Sequence, residues 1–166
     1  MSYRELCETM ITISSNLATN VLMEHLGVER IRATVTRLKA PGMKVLRGVE
    51  DQKAFDRGMN NETTARALMT LLTAIGTGTA ASPSSTAEMQ AILERQQFND
   101  GIPAGLPKDI LVGHKTGTIT KIHHDAAIVY AREPYVLVVM TRGMADEAKS
   151  DLLIAEISKI VYAAVK

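Results

Sequence analysis

Three short stretches of this sequence carry side chains suited to proton transfer and anion binding. His114-Lys115-Thr116-Gly117 lies at the end of a run rich in β-branched residues. A lysine beside a hydroxyl and a glycine makes an anion site where the backbone can approach a ligand closely. Ser14-Ser15-Asn16 interrupts two apolar helical patterns. A serine hydroxyl can pass on a proton, and a carboxamide can both donate and accept toward a substrate amide. Arg47-Gly48-Val49-Glu50-Asp51 falls in an irregular stretch, and a part-buried carboxylate on such a loop can act as a general base. Taken singly, each has a plainer reading: a turn, a helix N-cap and a surface charge cluster.

The elements that must position these residues follow from periodicity and punctuation. Ser2-x-x-Glu5 is a capping box, so a short helix is expected with Leu6, Met10 and Ile11 inward. A second helix is expected from Leu17 to about Leu26, with Ala18, Val21, Leu22 and Leu26 inward and Gly27 as its stop. Residues 28–39 read as helical, Pro41-Gly42 as a turn, and 43–62 as irregular, with Val45 and Leu46 extended and a helical turn within 49–57. A helix over 65–75 places Leu68, Leu71, Leu72 and Ile75 on one face. Residues 79–84 read as a loop, and Ser85-x-x-Glu88 reads as a second capping box. After the rigid Ile102-Pro103 to Pro107 loop come three short strands, 110–115, 126–131 and 135–141. A final helix over 145–165 is expected to turn Leu152, Leu153, Ile157, Ile160, Val161 and Ala164 inward. Sequential strands with short links pair antiparallel. The fold class is therefore α+β: a helical region, a three-stranded antiparallel sheet and a C-terminal helix, in one domain over 1–166.

The chain has 166 residues, 46% apolar and 22% charged, with 19 Lys plus Arg against 18 Asp plus Glu. That balance excludes disordered and disulfide-framework classes and gives no argument for a nucleic-acid partner. Cys7 is the single cysteine, so no internal disulfide forms. No apolar run reaches the ~18 residues of a membrane span. The four histidines, His25, His114, His123 and His124, show no zinc-ligand spacing, and no metal or cofactor is expected. The start, Met1-Ser2-Tyr3-Arg4-Glu5, has neither a basic region nor an apolar signal core, which reads as cytoplasmic only if Met1 is the true start.

In order and context, the three stretches resemble the penicillin-recognising serine hydrolases, especially class A β-lactamases, which carry Ser-x-x-Lys, Ser-Asp-Asn, a loop glutamate and Lys-Thr-Gly. Ile13 to Asn20 is similar to the segment around Ser-Asn, His114 to Thr118 to the Lys-Thr-Gly strand, and His124 to Val129 to the next strand. The resemblance implies a β-lactamase/transpeptidase-like fold and β-lactam ring opening through an acyl-enzyme. It implies that Ser14 passes a proton to the leaving nitrogen and that Asn16 binds the substrate's side-chain amide. It implies that Lys115 and Thr116 hold the substrate carboxylate, with Gly117 beside them, and that the Thr118 N–H lines the oxyanion hole. By position, Glu50 is the implied deacylation base, with Asp51 as its neighbour; no Glu-x-x-Asn follows.

Two departures qualify what the resemblance implies. Ser15 stands where the family has aspartate, which removes a charged brace from the loop holding Ser14 and Asn16. No serine has a lysine three residues on; Thr36-x-x-Lys39 and Thr118-x-x-Lys121 are the nearest look-alikes and sit in the wrong order. The chain therefore reads as a C-terminal portion, N-terminally truncated relative to the family. The expected substrate is a β-lactam or a D-amino-acid peptide-like molecule. The expected partner is a complementary N-terminal segment or another copy of the chain. A carboxypeptidase or esterase relative, or a non-catalytic binding remnant, remain the alternatives. The family usually works outside the cytoplasm, so localisation stays open.

Overall fold

The computed structural model describes residues 1–165. Among them, seven helices and one sheet form in the expected α+β order. Helix α1, Tyr3–Thr12, starts at the Ser2 capping box, where the Glu5 N–H donates to Ser2 Oγ and the Ser2 N–H donates to Glu5 Oε2 at 2.7 Å. Helix α2, Asn16–Leu26, is capped by Ser15. Helix α3, Val28–Arg37, precedes the irregular segment, and the short α4, Gln52–Asp56, is the helical turn expected within it. Within that segment, Val45 and Leu46 form no strand; an isolated bridge joins Lys44 to Glu62 instead. Helix α5, Ala65–Gly76, runs as its apolar spacing predicts.

Helix α6, Pro83–Leu93, begins inside the expected 79–84 loop. Its cap is Ser82, which accepts from the Ser85 N–H, and Pro83 takes the first-turn position that suits a residue with no N–H. Ser85-x-x-Glu88 is thus not a capping box, and Glu88 instead pairs with Arg4 at 2.6 Å.

The strands are β1, Val112–Ile119, β2, Ile122–Val129, and β3, Tyr135–Arg142, in the order β1-β2-β3, all antiparallel. β1 and β2 extend further toward their shared turn than β-propensity suggests. Gly117 pairs with His124 and Thr118 with His123, so ladder pairing carries the strand through Gly117, a residue that strands disfavour.

Alternation gives the sheet two packed faces. On one, Ala127, Val129 and Val139 pack with Ile102 and Ile154. On the other, Ala126 and Ile128 pack with Leu72 and Leu93, joined by Ile11, Leu68 and Ile75. Lys115 pairs with Ala126 and so belongs to the second face; His114 and Thr116 belong to the first.

Helix α7, Glu147–Val165, lies on the first face with only part of its expected stripe inward, Ile157 packing against that core. Its buried residues are Ser150, Ile154, Ala155 and Ser158, while Leu152, Leu153, Ile160 and Ala164 are exposed. Val21 and Leu26 of α2 are likewise exposed. The physical reason is close approach. Small side chains let α7 sit against the one-turn 3-10 helix Ile102–Gly105, and its two serines are satisfied there. Ser158 Oγ donates to the Ile102 carbonyl at 2.9 Å, and Ser150 Oγ bonds Thr141 Oγ1 at 2.7 Å.

Gly105 marks the tightest point, because a Cβ there would fall 2.0 Å from the Ala155 carbonyl oxygen. Backbone cannot yield as a flexible side chain can. Gly105→Ala should therefore destabilise the fold by about 3 kcal/mol or more, at the upper end of overpacking costs. Urea denaturation checks this, and an unchanged midpoint would contradict the packing described.

Candidate active site

The turn between α1 and α2 presents Ser14 by bending the chain sharply. Ser14 has φ +54°, a left-handed conformation that costs a non-glycine residue roughly 1–2 kcal/mol. The Ser15 N–H donates back to the Thr9 carbonyl at 3.2 Å, and Ser15 Oγ accepts from the Ala18 N–H at 3.2 Å. Ser15 thus braces the turn as a helix cap, and Asn16 follows as the first residue of α2.

From the sheet, Lys115 reaches across to this turn. Its Nζ donates to Ser14 Oγ and, at 2.5 Å, to the Thr116 carbonyl. Burial pushes the ammonium down to about 8, partly opposed by the charge of Asp125. Ser14, Asn16, Lys115, Thr116, Gly117 and Thr118 all border one open cleft of about 1120 Å³. Six of the seven candidate residues thus share a site.

Glu50 is the one that does not. It is exposed, sits at φ +62° and does not border the cleft. Asp51 is occupied as the α4 cap, accepting from the Ala54 N–H at 3.0 Å. The carboxylate that the 43–62 segment does bring to the cleft is Glu62, which is engaged by Lys44 at 2.7 Å.

A profile described as the beta-lactamase enzyme family matches residues 1–165. The chain belongs to that family. It is 30% identical to a beta-lactamase of Streptomyces albus G over 97% of its own length and 54% of the relative's. A beta-lactamase of Bacillus amyloliquefaciens is 30% identical, with 96% and 55% covered. Among solved structures, the beta-lactamase of Sphaerobacter thermophilus superposes with a TM-score of 0.92 at 26% identity, covering 99% of this chain and 63% of that one. The structure of PBP-A gives a TM-score of 0.88 at 31% identity, with 99% and 61% covered, and a PBP-A mutant is an acyl-enzyme complex with penicillin-G. The chain thus spans about half the length of the sequence relatives, 54% for the Streptomyces albus G enzyme.

Within this family fold, two asparagines hold the irregular loop in ways the motifs did not reveal. Asn20 clasps Val49 from both sides: its Oδ1 accepts from the Val49 N–H at 2.7 Å and its Nδ2 donates to the Val49 carbonyl at 3.0 Å. Gly48 is needed beside it, since a Cβ would lie 2.8 Å from Asn20 Oδ1. Asn61 does the same for Leu46 and Arg47 with three hydrogen bonds of 2.8–3.1 Å. A signal was available for Asn20: it lies one helical turn beyond Asn16, on the same face of α2.

Behind β1, the buried pair His114–Asp125 was also unmarked by the motifs. Both side chains are 1% exposed and their Nδ1–Oδ1 distance is 3.0 Å. Among the described residues, no group of three or more His, Cys, Asp or Glu gathers as a metal site.

Two measurements check this geometry. Asn20→Ala removes two part-buried hydrogen bonds and should cost about 1–3 kcal/mol. The Val49 amide should lose its protection from hydrogen exchange; retained protection would show that the loop is held otherwise. The second concerns Lys115, whose proton leaves near pH 8 in the folded chain and near 10.4 in an unfolded one. Between those values the unfolded chain binds more protons, so this group's contribution to stability rises with pH. Relative to Lys115→Met, the wild type should gain stability from about pH 8 to 10. Urea denaturation across that range reads the difference, and a flat one would contradict the assignment.

Proposed function

We propose that this chain forms the C-terminal half of a serine acyl-transfer site acting on β-lactams or D-amino-acid peptide-like substrates. The observation that carries this reading is the contact of Lys115 Nζ with Ser14 Oγ, formed between residues 101 positions apart and inside the cleft. In this reading Lys115 and Thr116 take the substrate carboxylate, and Asn16 takes its side-chain amide. Ser14 passes a proton to the leaving nitrogen, drawing on the ammonium beside it, and the Thr118 N–H faces the developing oxyanion next to Gly117. The attacking serine comes from a Ser-x-x-Lys segment that this sequence does not contain. It attacks the carbonyl carbon, the C–N bond breaks, and the nitrogen takes the proton.

That segment has a surface to dock on. Among the described residues β3 is a sheet edge, bonded only to β2, and edges invite pairing. Leu152 and Ile160 on α7 are 66% and 67% exposed, and Leu17 on α2 is 76% exposed. Apolar surface of this kind marks an interface. The share of the relatives outside this chain is large enough to cover it.

The outward position of Glu50 favours the penicillin-binding form of this activity, in which the acyl-enzyme persists, over rapid β-lactam turnover. A loop carboxylate must reach the attacking water to act as its base, and Glu50 does not border the cleft.

Intact mass spectrometry after incubation with a penicillin tests the reading. The 166-residue chain alone should form no adduct. Mixed with a family segment bearing Ser-x-x-Lys, it should support a stoichiometric adduct on that segment's serine. Lys115→Ala should abolish the adduct at limiting penicillin, and Glu50→Gln should leave its decay unchanged. An adduct on the chain alone would place the nucleophile here after all. A folded complex without an adduct would favour a non-catalytic remnant, and association of the chain only with itself would replace the segment by a second copy.

A further inference from the structure

We propose that Asp125, on the opposite face of the sheet, is the counter-charge of Lys115: a positioning residue that keeps the lysine an ammonium while leaving its front open to a ligand anion. The functional meaning rests on the reading of Lys115 as the carboxylate-binding residue, but the test below does not.

The two hydrogen bonds of the Lys115 ammonium go to neutral oxygens, Ser14 Oγ and the Thr116 carbonyl. An ammonium removed from water and offered only neutral acceptors tends to lose its proton. A carboxylate in direct contact would hold the charge, but would also occupy the donors that a substrate carboxylate needs. Placing the carboxylate behind the strand avoids that competition, because charge acts through a thin, poorly polarisable layer where a hydrogen bond cannot.

Asp125 is built for that place. It pairs with Thr116 across β1 and β2, and both residues flanking Lys115 on β1, His114 and Thr116, share its face. It is 1% exposed and held on both oxygens. Oδ1 faces His114 Nδ1 at 3.0 Å, and Oδ2 accepts from the Ile102 N–H at 2.8 Å. The fit is close enough that Gly101 cannot carry a side chain, since a Cβ would lie 2.6 Å from Oδ2. Other ionisable groups border the cleft: Glu62, Asp100, Glu147, Asp151, Arg142 and the pair His123-His124. Glu62 is already engaged by Lys44, whereas Asp125 sits directly across from Thr116, the residue next to Lys115 on β1, and its charge opposes the loss of the lysine's proton.

Nuclear magnetic resonance on the 166-residue chain reads this directly, without substrate or partner. In Asp125→Asn, which keeps the shape and removes the charge, the titration midpoint of the Lys115 ammonium should fall by about one pH unit, a tenfold change in proton affinity. An unchanged midpoint in the folded variant would overturn the proposal. Should that variant not fold, the wild type decides the matter. The Asp125 carboxyl carbon should show an inflection near pH 8, where Lys115 titrates, and Lys115→Met should remove it. A wild-type resonance with no inflection would sink the idea, and so would an inflection that survives Lys115→Met. Either failure leaves the penicillin-adduct experiment untouched, so the two readings fall separately.

Discussion

A carboxylate that is 1% exposed has lost nearly all its water, and the fold must replace it. Asp125 meets that demand with a backbone N–H from Ile102 and a ring nitrogen from His114. Breaking such an arrangement by removing a partner typically costs 3–5 kcal/mol, so its geometry is not free to drift. The consequences spread outward. The Ile102 N–H fixes the start of the 3-10 turn, the Ile102 carbonyl accepts from Ser158, and Gly105 at the turn's end lies against the α7 backbone. One buried charge thus ties together β1, β2, the loop entering the turn, and the C-terminal helix.

The cleft depends on this frame because its two central groups are each unfavourable alone. Ser14 sits in a left-handed conformation, and Lys115 is a half-buried ammonium. Strain and desolvation of this sort persist only where the surroundings over-determine them. Here α1 and α2 set the turn through Thr9, Ser15 and Ala18, and β1 sets the lysine through its ladder with β2. The contact between the two side chains is where these independently fixed parts meet. The loss of the family's aspartate at Ser15 does not dissolve the turn, because a serine cap performs the local bracing that a capping residue requires.

The chemistry-bearing motifs were legible because they are local. Lys115-Thr116-Gly117 and Ser14-Ser15-Asn16 announce themselves by residue type within a few positions, and the strand and the cap around them obey simple rules. The orientation of Glu50 was not legible, because it depends on how Asn20 and Asn61 clasp the loop from other elements. The inward face of α7 was misread for a related reason. An apolar stripe predicts a helix's buried side only when bulk apolar packing sets the contact, whereas α7 docks through Ile154 flanked by Ser150, Ala155 and Ser158, small residues that allow a closer approach than a full apolar stripe would. Two buried serines look polar in a sequence, and only their partners, Thr141 and Ile102, make them core residues.

The same misreading bears on function. Leu152, Leu153 and Ile160 recur on α7 at spacings that keep them on neighbouring faces, and Leu17 and Val21 lie one turn apart on α2. A helix that already docks through small residues has no need of such a second stripe for its own packing, and exposing it costs solubility. Its presence is best explained by something that covers it. The open edge of β3 asks for the same thing, because unpaired strand backbone is a template for another strand. Whatever closes those surfaces stabilises the chain and, in the proposed reading, delivers the attacking serine to Lys115 and Ser14. In that reading the same contacts that cover the apolar surface and the sheet edge would also complete the site.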